Sequence, residues 1–495
     1  MANYLYVMAA KSIQKYILSG NKLRLMVGAS ELVEELAESF IPDILQKLGW
    51  QSPRDYEILS RTAGGIRITF ADDEKAAYLQ KIIPLAVDGF APGLEIVQTV
   101  VKIDNNLGEA LSKSQQKLRV KRNALYPEYP IPNPMVKRVP STGNPIVEER
   151  DGEPLDRVML AKHSKAEDAR QTLSKKLLSV FPDPDKKSFV DDFSKIASRD
   201  NSLMAVLHID GNGMGGYIMR AVEELPNDLA EAKKKYSEIC ANIAECTKQA
   251  LTETLQEFFS NAGDLILCRP VVCAGDDVTL ILPATGALEF AVSLLKKFAR
   301  KSNEILNERL TACAGIVYCK HNYPVVQAYE LCESLVKYAK KQLDRQMSGI
   351  AYWRLTNAIA DDFESIIGRE LTASGIRLTE MPYIVASNAD NNADNPDKPT
   401  VDQLLKLRDG INGLPRGSVR KLVTAFYNGE DFAENLYKRM KEVAETEKWK
   451  TFESALLEIT KNDMFPALRV REQGRHKYTP LYDVLELIAA ERSGS

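Results

Sequence analysis

The hydrophobic positions near the N-terminus change their period several times. Residues Asn3 to Ala10 form a short apolar run typical of a buried strand, and apolar residues then recur at helical spacing over 21–45. A hairpin pattern follows around Gly64 and Gly65, then a helical pattern over 74–87 and a strand pattern over 94–103. This order predicts a β-α-β-β-α-β unit, the ferredoxin-like arrangement.

The same order of elements returns from Met204. A strand pattern over 204–210 is followed by a helix over 236–259 and a hairpin over 270–283. A helix, a strand and a closing helix complete the series, over 287–303, 310–320 and 324–343. The chain is therefore predicted to contain two ferredoxin-like units in an α+β fold, with a helical C-terminal region after them.

The two units also align in sequence. Residues from Ala9 align without gaps on residues from Asp210, both stretches ending in Tyr-Ile, and the hairpins align if one residue is dropped. In this alignment Ala9 replaces Asp210, and glycine replaces the Asp276/Asp277 pair. Because short matches arise easily by chance, the duplication rests more on the shared order of elements than on the letters.

Four regions follow from these patterns. At 495 residues the chain exceeds the roughly 250 to 300 residues at which single cores stop growing. We predict a first, acid-free domain over 1–125, a Pro-rich connection with a small helical segment over 126–200, a second domain over 201–358 and a helical domain over 359–495. The polar stretch from Ser387 to Thr400 is expected to be a mobile loop.

Composition excludes several classes of protein. The content of 44% hydrophobic and 27% charged residues is that of a soluble globular protein, and no apolar run reaches the length of a membrane span. A net charge of −3 gives no global electrostatic case for nucleic-acid binding. The seven cysteines form no CxxC pair, so buried thiols are expected and zinc is not. A cytoplasmic location is expected.

Three carboxylates carry the candidate chemistry. Asp210 ends the first strand of the second unit, and Asp276 and Asp277 lie in its hairpin. In a ferredoxin-like unit the first and third strands are the central pair, so these acids are expected to lie close together. Clustered carboxylates raise each other's pKa unless cations bind, and two Mg²⁺ or Mn²⁺ ions would relieve that repulsion. A lone Gly-Asp-Asp is usually an ordinary turn, but with Asp210 it predicts metal-assisted phosphoryl transfer.

Polar groups near the acids suggest how a nucleotide is held. Gly211, Gly213, Gly215 and Gly216 let the backbone approach a ligand, and their N–H groups at a helix start could hold a triphosphate. The Asn212-Gly213 pair alone is a turn signal.

Further polar residues are open to more than one interpretation. Lys340 is either a phosphate partner or a solvated charge at a helix end. His208 shares a strand face with Asp210 and is expected to be a packed histidine. The basic residues Arg416, Arg420 and Lys421 could contact RNA or a partner, although a solvated helix face is the more usual explanation.

At these residues the chain resembles the palm-domain large subunits of type III CRISPR effector complexes, which are relatives of diguanylate and adenylyl cyclases. The resemblance covers most of the chain: 12–36 in the first palm, 210–215, 274–277 and 312–341 in the second, and the helical region from about Asp361. It implies synthesis of cyclic oligoadenylate-type second messengers from ATP in antiviral defence.

The resemblance also implies roles for individual residues. It assigns two metal ions to Asp210, Ile209, Asp276 and Asp277, with the three aspartates catalytic. It assigns the nucleotide to a further set of residues: Asn212, Gly213, Gly215, Gly275 and Lys340. The acid-free palm would hold a second nucleotide. Besides ATP, the implied partners are guide or target RNA and other subunits of an effector complex.

The chain departs from the family in three ways. It contains no His-Asp dipeptide and opens directly on the first palm's strand, so the nuclease activity of many relatives is expected to be absent. Ala274 stands where the family commonly has the first of two glycines, which leaves both acids in place. The stretch 126–154, where relatives often carry zinc-binding cysteines, contains none.

Two other functions remain open from the sequence. One is a different enzyme with the same site, either a stand-alone dinucleotide cyclase or a templated polymerase, the latter needing a basic duplex channel. The other is a scaffold subunit that binds guide RNA and partner proteins and keeps the palm for its shape.

Overall fold

The computed structural model describes residues 3–20, 22–104, 106–124, 135–150, 152–167, 172–197, 203–356, 361–386, 398–462, 464–470 and 476–491. Contacts between Cα atoms divide the chain into two compact units. Unit 1 contains 1–192, 213–278 and 301–308, and unit 2 contains 193–212, 279–300 and 309–495. No described helix is long and apolar enough to cross a membrane.

The first part of the chain contains, in order, β1 (Asn3–Ala10), α1 (Ile13–Leu18), α2 (Leu23–Glu35), α3 (Ile41–Lys47), β2 (Tyr56–Thr62), β3 (Gly65–Phe70), α4 (Asp73–Phe90), β4 (Ile96–Ile103) and α5 (Leu107–Arg122). The connection contains β5 (Glu148–Arg150), β6 (Glu153–Leu155), α6 (Arg157–Glu167), α7 (Thr172–Leu178), β7 (Ser188–Phe189) and α8 (Phe193–Ile196).

The second palm region contains β8 (Met204–Asn212), α9 (Met214–Glu223), α10 (Leu229–Phe259), β9 (Leu265–Ile266), β10 (Arg269–Ala274), β11 (Asp277–Pro283), α11 (Ala287–Leu306), β12 (Thr311–Cys319), α12 (Val325–Gln342) and β13 (Gly349–Arg354). The C-terminal region contains α13 (Phe363–Arg369), β14 (Thr372–Ala373), β15 (Ile376–Arg377), β16 (Tyr383–Ile384), α14 (Val401–Asn412), α15 (Arg416–Ala425), α16 (Glu430–Val443), α17 (Thr446–Thr460), β17 (Arg469–Val470), β18 (Lys477–Tyr478) and α18 (Leu481–Glu491).

The first predicted palm is confirmed. Its sheet has the order β2-β3-β1-β4, so the first and third strands are the central pair. Both neighbours of β1 run antiparallel to it. The core beneath includes Leu5, Val7 and Val101 from the sheet and Leu111 from α5. The sequence did not mark α5, because its composition is polar and its apolar stripe is narrow.

The second sheet extends beyond a ferredoxin-like unit. Its order is β10-β11-β8-β12-β13-β16, and the first four strands match the predicted palm. Strand β13 pairs in parallel with β12 after the crossover helix α12. Strand β13 was not predicted, although its sequence is an apolar run typical of a buried strand.

The C-terminal region is mainly helical, as predicted, but it also contains a four-stranded sheet, β14-β15-β18-β17. Each of these strands is two residues long, which is too short to produce a periodic pattern. Most of the predicted loop 387–400, part of the Pro-rich connection and the start of the helical tail lie outside the described residues.

Candidate active site

Asp210 lies near the end of β8, where it is paired across the sheet with Cys313 of β12. Its side chain is 42% exposed, and Oδ2 forms an ion pair with the Lys340 ammonium, with 2.8 Å between Nζ and Oδ2. Lys340 is buried in the last turn of α12 and also donates to the Gly211 carbonyl at 2.6 Å. Lys340 is therefore not a solvated helix-end charge: it contacts the first-strand acid directly.

The glycine-containing loop after Asp210 is anchored by Asn212. This buried amide donates to Thr311 Oγ1 and to the Met347 carbonyl, both at 3.0 Å. Gly213 is the N-cap residue of α9 and has a φ of +74°, a conformation that favours glycine. A Cβ atom at Gly215 would contact nothing within 4 Å. The Asn212 side chain thus fixes the loop, while the backbone at the start of α9 lies against open space.

His208 is a packed histidine, as predicted. Its Nδ1 lies 3.1 Å from Thr279 Oγ1, and its ring meets the Tyr329 ring edge-on at 5.1 Å. Burial lowers the pKa of His208 to about 4. The imidazole is therefore neutral at physiological pH and is held by β11 and α12 residues.

The predicted hairpin is present as β10 and β11, with Gly275 and Asp276 in the turn. Gly275 has a φ of +63°, so the turn requires a residue that tolerates the left-handed region. Asp277 begins β11, and its Oδ2 accepts a hydrogen bond of 2.9 Å from the Gln14 side-chain amide of α1. Sequence reasoning missed Gln14, since nothing marks a single glutamine in a helical pattern.

Strand β10 is fastened to α2 of the first palm. Ser30 Oγ donates to the Val271 carbonyl at 2.5 Å. Arg269 is buried, and the loss of hydration lowers its pKa to about 10, while the Glu31 carboxylate acts in the opposite direction. Glu31 in turn accepts from the Leu173 and Ser174 amides, and burial raises its pKa. The strand before Asp276 therefore has several polar attachments within unit 1.

The three aspartates fit a divalent metal by their donor chemistry, because Mg²⁺ and Mn²⁺ prefer carboxylate oxygens. Ile209 could contribute only its backbone carbonyl, since its side chain is apolar and buried in β8. Over the described residues, no three Asp, Glu, His or Cys side chains form a ready-made metal site. The joint binding of metal by Asp210, Asp276 and Asp277 stays a prediction.

The first palm has a cavity of about 790 Å³ at the positions that align with the acids. Ala9 and Gly65, which face each other across β1 and β3, both line it. Among the residues that the structure describes, the lining also includes Arg67, Arg119 and Arg122 and no acidic residue. Arg67 donates to Ser60 Oγ at 3.2 Å and lies 6.0 Å from the centre of the Tyr236 ring. The acid-free half thus carries a cationic cavity.

Residues 203–348 match the family model of the Cas10/Cmr2 second palm domain. The Csm1–Csm4 cassette in complex with pppApApA is similar in fold, with a TM-score of 0.54, 14% identity and coverage of 99% of this chain and 70% of that chain. Csm1 of T. onnurineus has a TM-score of 0.52 and 13% identity, and the match covers 99% of this chain and 70% of that chain. The Csm1–Csm4 cassette with AMPPNP has a TM-score of 0.52, 12% identity and coverage of 100% and 70%.

At these identities the structural likeness shows the fold alone. A search of curated protein sequences found no match. The family model over 203–348 and the likeness in fold to Csm1 together confirm the resemblance to palm-domain large subunits.

Proposed function

From the Cas10/Cmr2 second palm domain in residues 203–348, we propose that this protein is a metal-dependent nucleotidyltransferase that makes cyclic oligonucleotides from ATP. The observation that carries the proposal is that this matched segment contains three aspartates, one of which forms an ion pair with a buried lysine. A polypeptide kept only for its shape has no physical need for such groups. We further propose that it acts in type III CRISPR-like defence with other effector subunits and RNA.

The proposed metal ligands are Asp210, Asp276 and Asp277, with the Ile209 carbonyl. Two observations support their convergence. In the first palm, Ala9 lies opposite Gly65, the residues that align with the acids. In the second palm, His208 contacts Thr279, and Asp210 and Asp277 each lie two residues away on the same strands. Antiparallel pairing, as in the first palm, would then bring these two carboxylates opposite each other.

When bound, two divalent ions would promote ionisation of the attacking hydroxyl and neutralise charge on the transferred phosphate. Asp210 would offer its carboxylate to the metal from β8, and Asp276 and Asp277 would offer theirs from the hairpin. We propose that the Lys340 ammonium would then exchange its ion pair with Asp210 for a triphosphate oxygen. The N–H groups at Gly213, Gly215 and Gly275 would complete the triphosphate site.

We assign the second nucleotide to the cationic cavity of the first palm. Its arginines can pair with phosphate oxygens in a bidentate manner, and Ala9 and Gly65 leave space where side chains would otherwise stand. The similar folds in complex with AMPPNP and with pppApApA support nucleotide as the ligand class.

The reaction then joins the two nucleotides. A ribose hydroxyl oxygen of one ATP attacks the α-phosphorus of the other, and a new phosphodiester bond forms. The bond from that phosphorus to the oxygen bridging to the β-phosphate breaks, so pyrophosphate leaves with its electron pair, and the hydroxyl proton passes to solvent. Repetition followed by attack within one chain would close a ring.

The test is incubation of the purified chain with labelled ATP and Mg²⁺ or Mn²⁺, first without RNA and then with RNA and partner subunits. The Asp276→Asn/Asp277→Asn variant removes both charges at nearly constant volume, and Asp185→Asn, at an exposed acid, is the matched control. Phosphatase-resistant product from wild type and control, absent from the double variant, supports the proposal. Tight RNA binding with no product under any condition would indicate a scaffold, and primer extension would indicate a polymerase.

A further inference from the structure

The GDD hairpin receives a side chain from the first palm. Gln14 lies in α1, is partly exposed, and its Nε2 donates to Asp277 Oδ2 at 2.9 Å. Both residues belong to unit 1. The hydrogen bond from Ser30 of α2 to the Val271 carbonyl holds the backbone of β10, the strand that leads into the turn. Gln14 is different, because it contacts the carboxylate itself.

We propose that Gln14 is a positioning residue that orients the Asp277 carboxylate for metal binding, an inference that rests on the proposed function. An amide donor suits this task because it is neutral. It fixes the rotation of the carboxylate without cancelling its charge, and one hydrogen bond occupies only one of about four acceptor positions on a carboxylate. Such outer hydrogen bonds set the direction of a metal ligand.

Asp210 provides the contrast within the same protein. Its partner is the Lys340 ammonium, a cation that balances the charge and must give way if metal binds. Gln14 need not leave, since an amide does not compete with a cation for the carboxylate charge. We therefore infer that the hydrogen bond from Gln14 persists when metal is bound, whereas the ion pair of Lys340 is exchanged.

Gln14 stands at a position where the two halves of the chain differ. Gln14 aligns with Gly215 of the acid-bearing half. The acid-free palm thus carries a long polar side chain where the other palm has glycine. That side chain donates a hydrogen bond to Asp277, an acid of the other palm. The first palm would then contribute to the metal site as well as to the second nucleotide.

The test measures Mn²⁺ binding to the full chain directly, by the loss of the EPR signal of free Mn²⁺. It is made with and without AMPPNP. Gln14→Met removes the donor at similar volume, and Gln14→Lys keeps a donor but adds charge. Gln46→Met, the same change at an exposed position of α3, is the matched control. We expect the Mn²⁺ dissociation constant of Gln14→Met to rise by about 10- to 100-fold, the usual effect of losing such a partner. The melting temperature should not change.

Gln14→Lys separates positioning from simple structural support. If Gln14 orients a metal ligand, the lysine forms an ion pair with Asp277 and weakens Mn²⁺ binding at least as much as methionine does. If Gln14 only stabilises the hairpin, the lysine restores wild-type Mn²⁺ affinity and the methionine lowers the melting temperature, which overturns the inference.

The reference variant Asp276→Asn/Asp277→Asn distinguishes the two levels of the argument. Loss of Mn²⁺ binding in that variant, with Gln14→Met equal to wild type, overturns the role of Gln14 and leaves the proposed function standing. If wild type does not bind Mn²⁺, and the aspartate variant behaves in the same way, the proposed function and the inference are overturned together.

Discussion

Asp210 and Asp277, two of the proposed metal ligands, have different hydrogen-bonding and charge partners. Asp210 is paired with a buried ammonium, and Asp277 accepts from an amide. The type and position of the two acids could be predicted from the sequence. Their partners could not, because Lys340 and Gln14 are brought to them by packing between elements far apart in the chain.

Lys340→Met should strengthen metal binding while it lowers turnover. The ammonium competes with a divalent ion for Asp210, and removing a unit charge a few ångströms away should raise the Mn²⁺ affinity by up to about tenfold at low salt. Turnover should fall because the triphosphate loses a charged partner. EPR titration and a product assay measure the two effects.

Lys341→Met is the control for this experiment, since Lys341 is exposed, follows Lys340 directly and pairs with Glu364 at the surface. Weaker Mn²⁺ binding in Lys340→Met, with Lys341→Met unchanged, would contradict the competition and show that Lys340 holds Asp210 in its binding position.

Asp483 should make stability depend on pH. This buried carboxyl accepts from the Tyr383 hydroxyl at 2.7 Å and from the Glu380 amide at 2.9 Å, and burial raises its pKa to about 7. The folded state therefore keeps a proton that the unfolded chain releases near its ordinary pKa of about 3.9. The stabilisation is fully present below about pH 4 and is lost as pH rises through 7, a change of a few kcal/mol at most.

Chemical denaturation across that pH range measures the effect. Asp483→Asn cannot titrate, so its free energy of unfolding should fall less than that of wild type as pH rises from about 4 to 7. Parallel curves for the two proteins would show that the Asp483 pKa is not raised in the folded state.

At the scale of elements, periodicity predicted the four ferredoxin-like strands and the long helices of each palm, because each is long enough to show its buried face. Strand β13, the short strands of the C-terminal sheet and the polar helix α5 were not predicted. A two-residue strand is defined only by its partner, and α5 is placed by packing of a few residues such as Leu111 and Leu118. Local pattern carries no information of that kind.

The approach of α2 to α6 depends on Gly28. A Cβ atom at this position would lie 1.7 Å from the Lys162 carbonyl oxygen of α6. Gly28→Ala should therefore displace α6 and lower the free energy of unfolding by at least about 1 to 3 kcal/mol, the range for overpacked sites. Thermal or urea unfolding measures the loss.

Gly89→Ala is the matched control. Gly89 lies on the exposed side of α4, and a Cβ atom there would contact nothing within 4 Å. Alanine is the better helix former, so this variant should gain about 0.5 to 1 kcal/mol. If both alanines had the same effect, the close contact between α2 and α6 would not be present.

At the scale of the whole molecule, the duplicated palm would allow one chain to bind the two nucleotides of the proposed reaction with one set of acids. The acid-free copy retains the sheet order of its partner but replaces the acids with Ala9 and Gly65 beside a cationic cavity. The alignment predicted the missing acids. It could not predict two of the cavity's three named arginines, because Arg119 and Arg122 come from α5, which lies outside the repeated stretches.

If each palm binds one nucleotide, removing one site should change the number of AMPPNP molecules bound per chain. Wild type should bind two AMPPNP molecules per chain with Mn²⁺, measured by isothermal titration. Arg119→Ala/Arg122→Ala removes two charges from the first palm's cavity and should leave one metal-dependent molecule. Each charged hydrogen bond to phosphate that is lost lowers the binding free energy by about 1.5 to 3 kcal/mol. The second molecule should then be undetectable at the same concentration.

The control changes the same charge on the same helix. Lys113 and Lys117 are exposed on α5 and do not line the cavity, so Lys113→Ala/Lys117→Ala should still bind two. Asp276→Asn/Asp277→Asn should lose the metal-dependent molecule and keep the other, because the cavity's arginines do not need a metal to bind phosphate. Two bound molecules in the arginine variant would place the second nucleotide elsewhere, and the acid-free palm would then act on the reaction only through Gln14.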